Sequence, residues 1–95
     1  MLRLMLSDCQ PYLEGDLSGD DVQLSGFSID TRTLQPGDLY IAIDGDRFDG
    51  HDYCRAAAEK GASGLLVHKD LESDLPQLKV DDTRIALGLL AKMWA

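Results

Sequence analysis

Several things this sequence has little of already narrow what it can do. No apolar run approaches the roughly 18 residues of a membrane-crossing helix, and Arg3 interrupts the opening Met1-Leu2-Arg3-Leu4-Met5-Leu6, with Ser7-Asp8 close behind. A membrane span and a signal-type apolar core are both excluded there. Positive charge is scarce. Nine Lys and Arg against seventeen Asp and Glu give a formal net charge of -8, and the basic residues are scattered. That argues against nucleic acid or an anionic membrane as partner. A phosphate-bearing ligand would approach against this field, so it would need local donors such as an Arg and backbone N–H groups, and each Arg must be examined singly. Cysteine is limited to Cys9 and Cys54, without paired spacing, which reads as two free thiols of a cytoplasmic protein. No G-x-x-x-x-G-K-[ST] occurs, since the one Lys–Gly pair is Lys60-Gly61 in the wrong order, so no ATP-cradling loop is expected in these residues. Neither a Ser/His/Asp nor a Cys/His nucleophile arrangement is evident.

What is present is 95 residues, 44% of them hydrophobic, enough for one core that buries roughly 65% of the unfolded surface. Ser7-Asp8 after Leu6 predicts a short helix from Ser7 to Glu14, with Ser7 or Asp8 as N-cap, Pro11 in its first turn and Gly15 as its stop. Gly15 to Asp21 reads as turn. Val22, Leu24 and Phe27 to Ile29 alternate as a strand ending near Asp30. Pro36-Gly37 marks a turn before Leu39-Tyr40-Ile41-Ala42-Ile43, the most apolar β-type run and a buried strand. His51 to Lys60 has helical spacing and Gly61 as its cap. Gly64 to His68 and Leu78 to Val80 are further strands, and strand–helix–strand spacing predicts a right-handed crossover with parallel pairing. From Asp82-Thr83 onward a broad apolar stripe of Ile85, Leu87, Leu89, Leu90 and Met93 predicts a terminal helix. The chain stops in or just after that helix, as a piece of something longer would, and part of the stripe is expected to pack on a following domain or on a second copy. The fold class is α/β, a small single domain over residues 1–95 with a mixed sheet and flanking helices.

Two polar segments carry possible chemistry, each beside a plainer reading. Asp30-Thr31-Arg32 closes a predicted strand, where loops hold ligands in α/β sheets. Thr31 offers a hydroxyl to a base or ribose edge and Arg32 a guanidinium to a phosphate; alternatively, Asp30 and Thr31 bond nearby backbone and Arg32 pairs with an acidic neighbour. Asp44-Gly45-Asp46-Arg47-Phe48-Asp49-Gly50-His51-Asp52 joins the most buried strand to a helix. It reads as an anion site beside Arg47 with Phe48 as a stacking wall, or as a solvated loop in which Asp49 or Asp52 caps the helix. Against the calcium-loop template counted from Asp44, Phe48, Asp49 and Arg55 fall where an oxygen ligand, a Gly and a Glu are required, so the match fails. His51 and Cys54 lie three apart, but a zinc site needs further ligands and only His68 and Cys9 remain, so no metal is expected. Asp82-Thr83-Arg84 is explained by capping of the terminal helix and is assigned no ligand role.

Three segments together resemble the N-terminal domain of the Mur ligases: Ser28-Ile29-Asp30-Thr31-Arg32, then Pro36-Gly37-Asp38-Leu39-Tyr40-Ile41-Ala42-Ile43-Asp44-Gly45, then Arg47-Phe48-Asp49-Gly50-His51-Asp52-Tyr53. The resemblance covers nearly the whole chain. Arg47 to His51, Asp74-Leu75-Pro76-Gln77-Leu78 and Asp82 to Gly88 look most like the D-alanyl-D-alanine-adding branch of peptidoglycan synthesis, with the diaminopimelate- or lysine-adding branch as the alternative. The resemblance implies a parent enzyme that is an ATP- and Mg2+-dependent peptide ligase, its ATP site in a central domain and a further C-terminal domain closing it. It implies for this chain recognition of the UDP end of a UDP-linked muramoyl peptide, without catalysis of its own, through Ile29, Thr31, Arg32, Asp46, Arg47 and Phe48. Sister ligases carry a His-Gln type pair where this sequence has Asp46-Arg47. A non-catalytic interaction module, its polar loops serving as partner contacts, is the reading from another class.

Overall fold

The computed structural model describes residues 4–44 and 49–93. Its elements are β1 (Leu4–Met5), α1 (Leu6–Leu13), β2 (Asp16–Ser18), β3 (Gln23–Leu24), β4 (Gly26–Ser28), β5 (Asp38–Ile41), a 3-10 turn (Gly50–Tyr53) running into α2 (Cys54–Glu59), β6 (Gly64–Val67), β7 (Gln77–Lys79) and α3 (Thr83–Met93). Five strands form one sheet in the order β2-β7-β6-β5-β4; β1 and β3 pair separately. Strands β4 to β7 run parallel, whereas β2 joins β7 antiparallel at the edge. The predicted mixed sheet is thereby realised, and helices cover both its faces.

The alternation along the central strands assigns side chains to those faces. Leu39, Ile41 and Leu66 pack with Leu6, Cys9, Leu13, Ala86 and Leu90 under α1 and α3. Tyr40, Ala42, Leu65 and Val67 pack with Leu34, Cys54, Ala57 and Ala62 under α2. Both faces being buried is why β5 and β6 read as unbroken apolar runs. Cys9 and Cys54 are buried free thiols in opposite clusters.

Chain reversals follow local chemistry. The Asp38 N–H donates to the Gln35 carbonyl at 3.1 Å across Pro36-Gly37, and Gly37 has φ +94°. Proline at the second and a positive-φ glycine at the third position make a type II turn, which aims β5 into the sheet. The N-terminus of α3 is capped as expected, with Asp82 Oδ1 accepting from the Arg84 N–H at 2.8 Å and the Ile85 N–H at 3.3 Å.

Five expectations need correction. α1 starts one residue early, on Leu6: Met5 is the cap residue and its N–H donates to Asp8 Oδ2 at 3.0 Å, while Ser7 is held by Asp21, 2.9 Å from its N–H and 2.6 Å from its hydroxyl. Pro11 lies inside the helix, past its first turn, and the helix ends two residues later at Leu13, with Glu14 rather than Gly15 in the left-handed region. The segment read as turn contains β2, whose pairing with β7 is a long-range contact that local composition does not encode. The single strand expected from Val22 to Ile29 is split into β3 and β4, which serve different sheets. The stripe on α3 is mostly consumed within this domain: Ala86 and Leu90 are buried, Leu87, Leu89 and Met93 pack against the same cluster, and only Ile85 stands out, 65% exposed.

Candidate functional site

Because β4 to β7 are parallel, the segments leaving their carboxyl ends share one edge of the sheet, where ligands bind in open α/β folds. Ile29–Arg32 follow β4, Asp44 follows β5, His68 and Lys69 follow β6, and Asp81 and Asp82 follow β7.

A cleft of about 490 Å3 lies at the β4 end, lined by Ile29, Asp30, Thr31, Arg32, Tyr40 and Tyr53. Its walls are apolar, Ile29 and Tyr53 being exposed large side chains, and its polar groups come from the turn. Asp30 organises that turn: its carboxylate accepts from the Arg32 N–H at 2.9 Å, from Nε at 3.1 Å and from Nη2 at 2.8 Å. The Arg32 side chain bonding to Asp30 lowers that carboxyl to about 2, and the same pairing raises Arg32. So the plainer reading of Asp30-Thr31-Arg32, a self-bonded turn with Arg32 paired to an acidic neighbour, describes the geometry. Thr31 and Ile29 nonetheless line the cleft, as the ligand reading requires.

Between Asp44 and Asp49 the chain closes a neck, the two residues forming an isolated antiparallel bridge. The Gly50 N–H donates to the Ile43 carbonyl at 2.8 Å. A Cβ on Gly50 would stand 2.6 Å from the Ile43 nitrogen and 2.7 Å from its oxygen, so only glycine fits this crossing. Asp46, Arg47 and Phe48, the second set of candidate contacts, lie outside the described residues.

Behind the neck runs a hydrogen-bonded chain. Asp49 caps the 3-10 turn, its Oδ1 accepting from the His51 N–H at 2.9 Å and standing 2.5 Å from His51 Nδ1. His51 Nε2 lies 3.0 Å from the His68 backbone nitrogen. A backbone N–H can only donate, so Nε2 is the acceptor and the neutral ring carries its proton on Nδ1, facing Asp49. Lys69 Nζ reaches Asp49 Oδ2 at 2.6 Å. This bond, more than the contacts with His51, holds the Asp49 carboxyl well below the usual range. The His51 and His68 rings meet edge to face with centroids 4.3 Å apart. His68 Nε2 is 3.5 Å from Asp44 Oδ2, too far for a hydrogen bond. A second, smaller cleft of about 300 Å3 opens here, lined by Asp44, His68, Asp81, Asp82, Thr83 and Arg84. Arg84 Nη2 donates to the Asp44 carbonyl at 2.8 Å, tying α3 to the neck.

Among the described residues, Asp49, His51 and His68 are the one group whose ligand atoms lie close enough for a metal, within 4.8 Å. Coordination by Nδ1 would displace the proton facing Asp49, and coordination by Nε2 would displace the His68 N–H. Both ring nitrogens are already used, so the trio fits a hydrogen-bonded clamp rather than a metal site. Cys54, which sequence spacing had placed with His51, takes no part and packs under the sheet with its thiol pushed up to about 11 by burial.

Sequence reasoning missed Tyr40 and Tyr53 as cleft walls and His68, Lys69 and Arg84 as supports. A signal for His68 and Lys69 was available, since they directly follow a buried strand parallel to the one that leads into Asp44. For Tyr53 and Arg84 none was.

A family profile described as "Mur ligase family, catalytic domain" matches residues 23–94. The UDP-N-acetylmuramoyl-tripeptide–D-alanyl-D-alanine ligase of Escherichia coli (strain K12) is 47% identical over 91 residues, which is 96% of this chain and 20% of that protein. The ligase of the same name from Haemophilus influenzae is 40% identical over 94 residues, 97% of this chain and 21% of the relative. Among solved structures, MurF from Acinetobacter baumannii superimposes with a TM-score of 0.85 at 26% identity, over 94% of this chain and 20% of that one. The chain thus spans about a fifth of the length of the curated relatives it matches. Among the described residues no helix is long and apolar enough to cross a membrane.

Proposed function

The chain belongs to the Mur ligase family, and from that premise we propose that it is the N-terminal, UDP-recognising domain of a cytoplasmic ligase that adds D-alanyl-D-alanine to UDP-N-acetylmuramoyl-tripeptide in peptidoglycan synthesis. The observation that carries the UDP assignment is the cleft of about 490 Å3 at the carboxyl end of β4, in which Ile29, Tyr40 and Tyr53 surround the polar turn at Thr31. Apolar walls with a few convergent polar groups suit a flat base and its ribose. In this reading the backbone near Ile29 and the Thr31 hydroxyl contact uracil or ribose. Arg32 and Arg47 offset pyrophosphate charge, Asp46 contacts the nucleotide and Phe48 forms a stacking wall.

Ligation itself is assigned to the rest of the parent enzyme. These 95 residues hold no Walker-type loop, so ATP and Mg2+ belong to a central domain, which would activate the substrate carboxylate for attack by the incoming amine. What this domain contributes is position, since binding the remote UDP end orders a long substrate for chemistry elsewhere. The choice of D-alanyl-D-alanine over diaminopimelate or lysine would likewise rest with those other parts, and the branch assignment follows the two ligases above.

The test is an NMR titration of the isotope-labelled chain with UDP. Weak, saturable binding is expected, because one domain contacts only one end of the substrate. Amide shifts should cluster at Ile29–Arg32 and around Asp44 and Asp49–His51. No shift at millimolar UDP would leave the interaction-module reading in possession.

A further inference from the structure

We propose that His51 is a positioning residue: by linking Asp49 to the end of β6, its imidazole fixes the neck of the β5–α2 loop beside the cleft, and nucleotide recognition depends on that link. The inference rests on the UDP reading for its consequence, but the link itself is independent of any ligand. Three observations carry it.

First, His51 is almost wholly enclosed, its side chain 1% exposed, yet both ring nitrogens are used in directional bonds: Nδ1 at 2.5 Å from Asp49 Oδ1 and Nε2 at 3.0 Å from the His68 nitrogen. An apolar side chain would fill the same volume without either bond, so packing alone does not account for a histidine here. Second, the bonds join places far apart in sequence that meet at the sheet edge: the neck at Asp49 and the residue immediately after β6. Third, the neck is tied to the cleft, because the Tyr40 hydroxyl, in the cleft wall, donates to the Gly50 carbonyl at 2.9 Å. A shift at Asp49–Gly50 therefore reaches Tyr40 through one bond.

The two ring bonds are separable. An amide oxygen in His51→Gln lies about as far along the side chain as Nε2 and can accept from the His68 N–H. The amide nitrogen of His51→Asn lies about as far as Nδ1 and can reach only Asp49. The charged or titratable groups facing the ring are Asp49 from the neck, His68 and Lys69 from the end of β6 and, across the His68 ring, Asp44.

The experiment compares the 95-residue chain with its His51→Gln and His51→Asn variants by 15N NMR, before and after adding UDP. In the wild type, the His51 ring should show an unprotonated Nε2 with scalar coupling to the His68 amide. His51→Asn should move the free-state amide signals of Asp44, Asp49 and Gly50 and weaken UDP binding about tenfold, as expected from one lost buried hydrogen bond. His51→Gln keeps the bond to the His68 N–H, and Asp49 stays tied to residue 51 through the backbone N–H at 2.9 Å, so it should keep those signals close to their native positions and restore most of the affinity. The positioning role is overturned if His51→Asn leaves the neck signals in place, or if it binds UDP as the wild type does. A wild type that ignores UDP refutes the nucleotide reading instead, and the free-state signals then decide the link by themselves.

Discussion

Tyr40 and Gly50 are ten residues apart, and the phenol of one donates to the carbonyl of the other at 2.9 Å inside the protein. Burial pushes the Tyr40 hydroxyl up to about 12, so it keeps its proton and remains a donor at neutral pH. The bond makes the wall of the cleft and the neck of the adjoining loop a single unit. In Tyr40→Phe the ring still fills its place while the Gly50 carbonyl loses its donor. A cost of about 1–3 kcal/mol is expected for leaving a buried acceptor unpaired, or roughly 4–8 °C of Tm per kcal/mol in a domain of this size. Thermal unfolding followed by circular dichroism measures it, and an unchanged Tm would show that the carbonyl is readily rehydrated.

Two glycine substitutions should act in opposite directions. Gly50→Ala drives a methyl to 2.6 Å from the Ile43 nitrogen and 2.7 Å from its oxygen, and neither strand nor neck can yield without losing the Gly50–Ile43 bond. A loss of about 1–3 kcal/mol is expected, as in other overpacked sites. Gly88 lies exposed in α3 with no atom within 4 Å of an added Cβ. There the helical preference for alanine should stabilise by about 1 kcal/mol. Urea denaturation of both variants provides the comparison, and a stable Gly50→Ala chain would mean that the neck is not closed in solution.

The parts of this fold that were legible in the sequence are those specified locally. Pro36-Gly37 announces its turn, Asp82 its helix, and the apolar run from Leu39 a strand buried on both faces, which ends at Ile41 rather than Ile43, because each signal acts within a few residues. β2 was not legible: Asp16-Leu17-Ser18 has the composition of a turn and becomes a strand only because β7 offers an open edge. The site shows the same division. Thr31 was placed by its position at a strand end and Ile29 by the family resemblance, and both line the cleft. Tyr53 contributes a wall from the end of the 3-10 turn, which the fold brings opposite Ile29–Arg32, and the Asp49–His51–His68 chain arises from two loops brought side by side by parallel pairing, which residue types alone do not disclose.

Both cysteines should be inert in the folded chain. Burial pushes the thiols of Cys9 and Cys54 up to about 11 from 9.0, and nearby Asp8 and Asp49 add to the effect. Thiolate is the reacting species, so an aromatic disulfide reagent at pH 8 should modify neither until urea unfolds the chain. The linkage has a definite sign. Folded thiols hold their protons more tightly than unfolded ones, so stability is undiminished below pH 9.0 and falls as pH rises from there to about 11. Rapid modification of native protein at pH 8 would mean that one of the two faces of the sheet opens readily.

The turn at the cleft mouth makes the opposite prediction in acid. The Arg32 guanidinium bonded to Asp30 lowers that carboxyl from 3.8 to about 2. A depressed acid contributes its stabilisation above the unfolded value of 3.8 and loses it as pH falls through about 2. Since the pair is open to solvent its effect on global stability is small, and the readout should be local. The 13C resonance of the Asp30 carboxyl should titrate near 2 in the native chain and move back toward 3.8 in Arg32→Ala. A midpoint that does not move would show that Arg32 is not held by Asp30 in solution. Its guanidinium would then be free to meet a phosphate without first giving up a partner, and Arg32→Ala should weaken UDP binding directly.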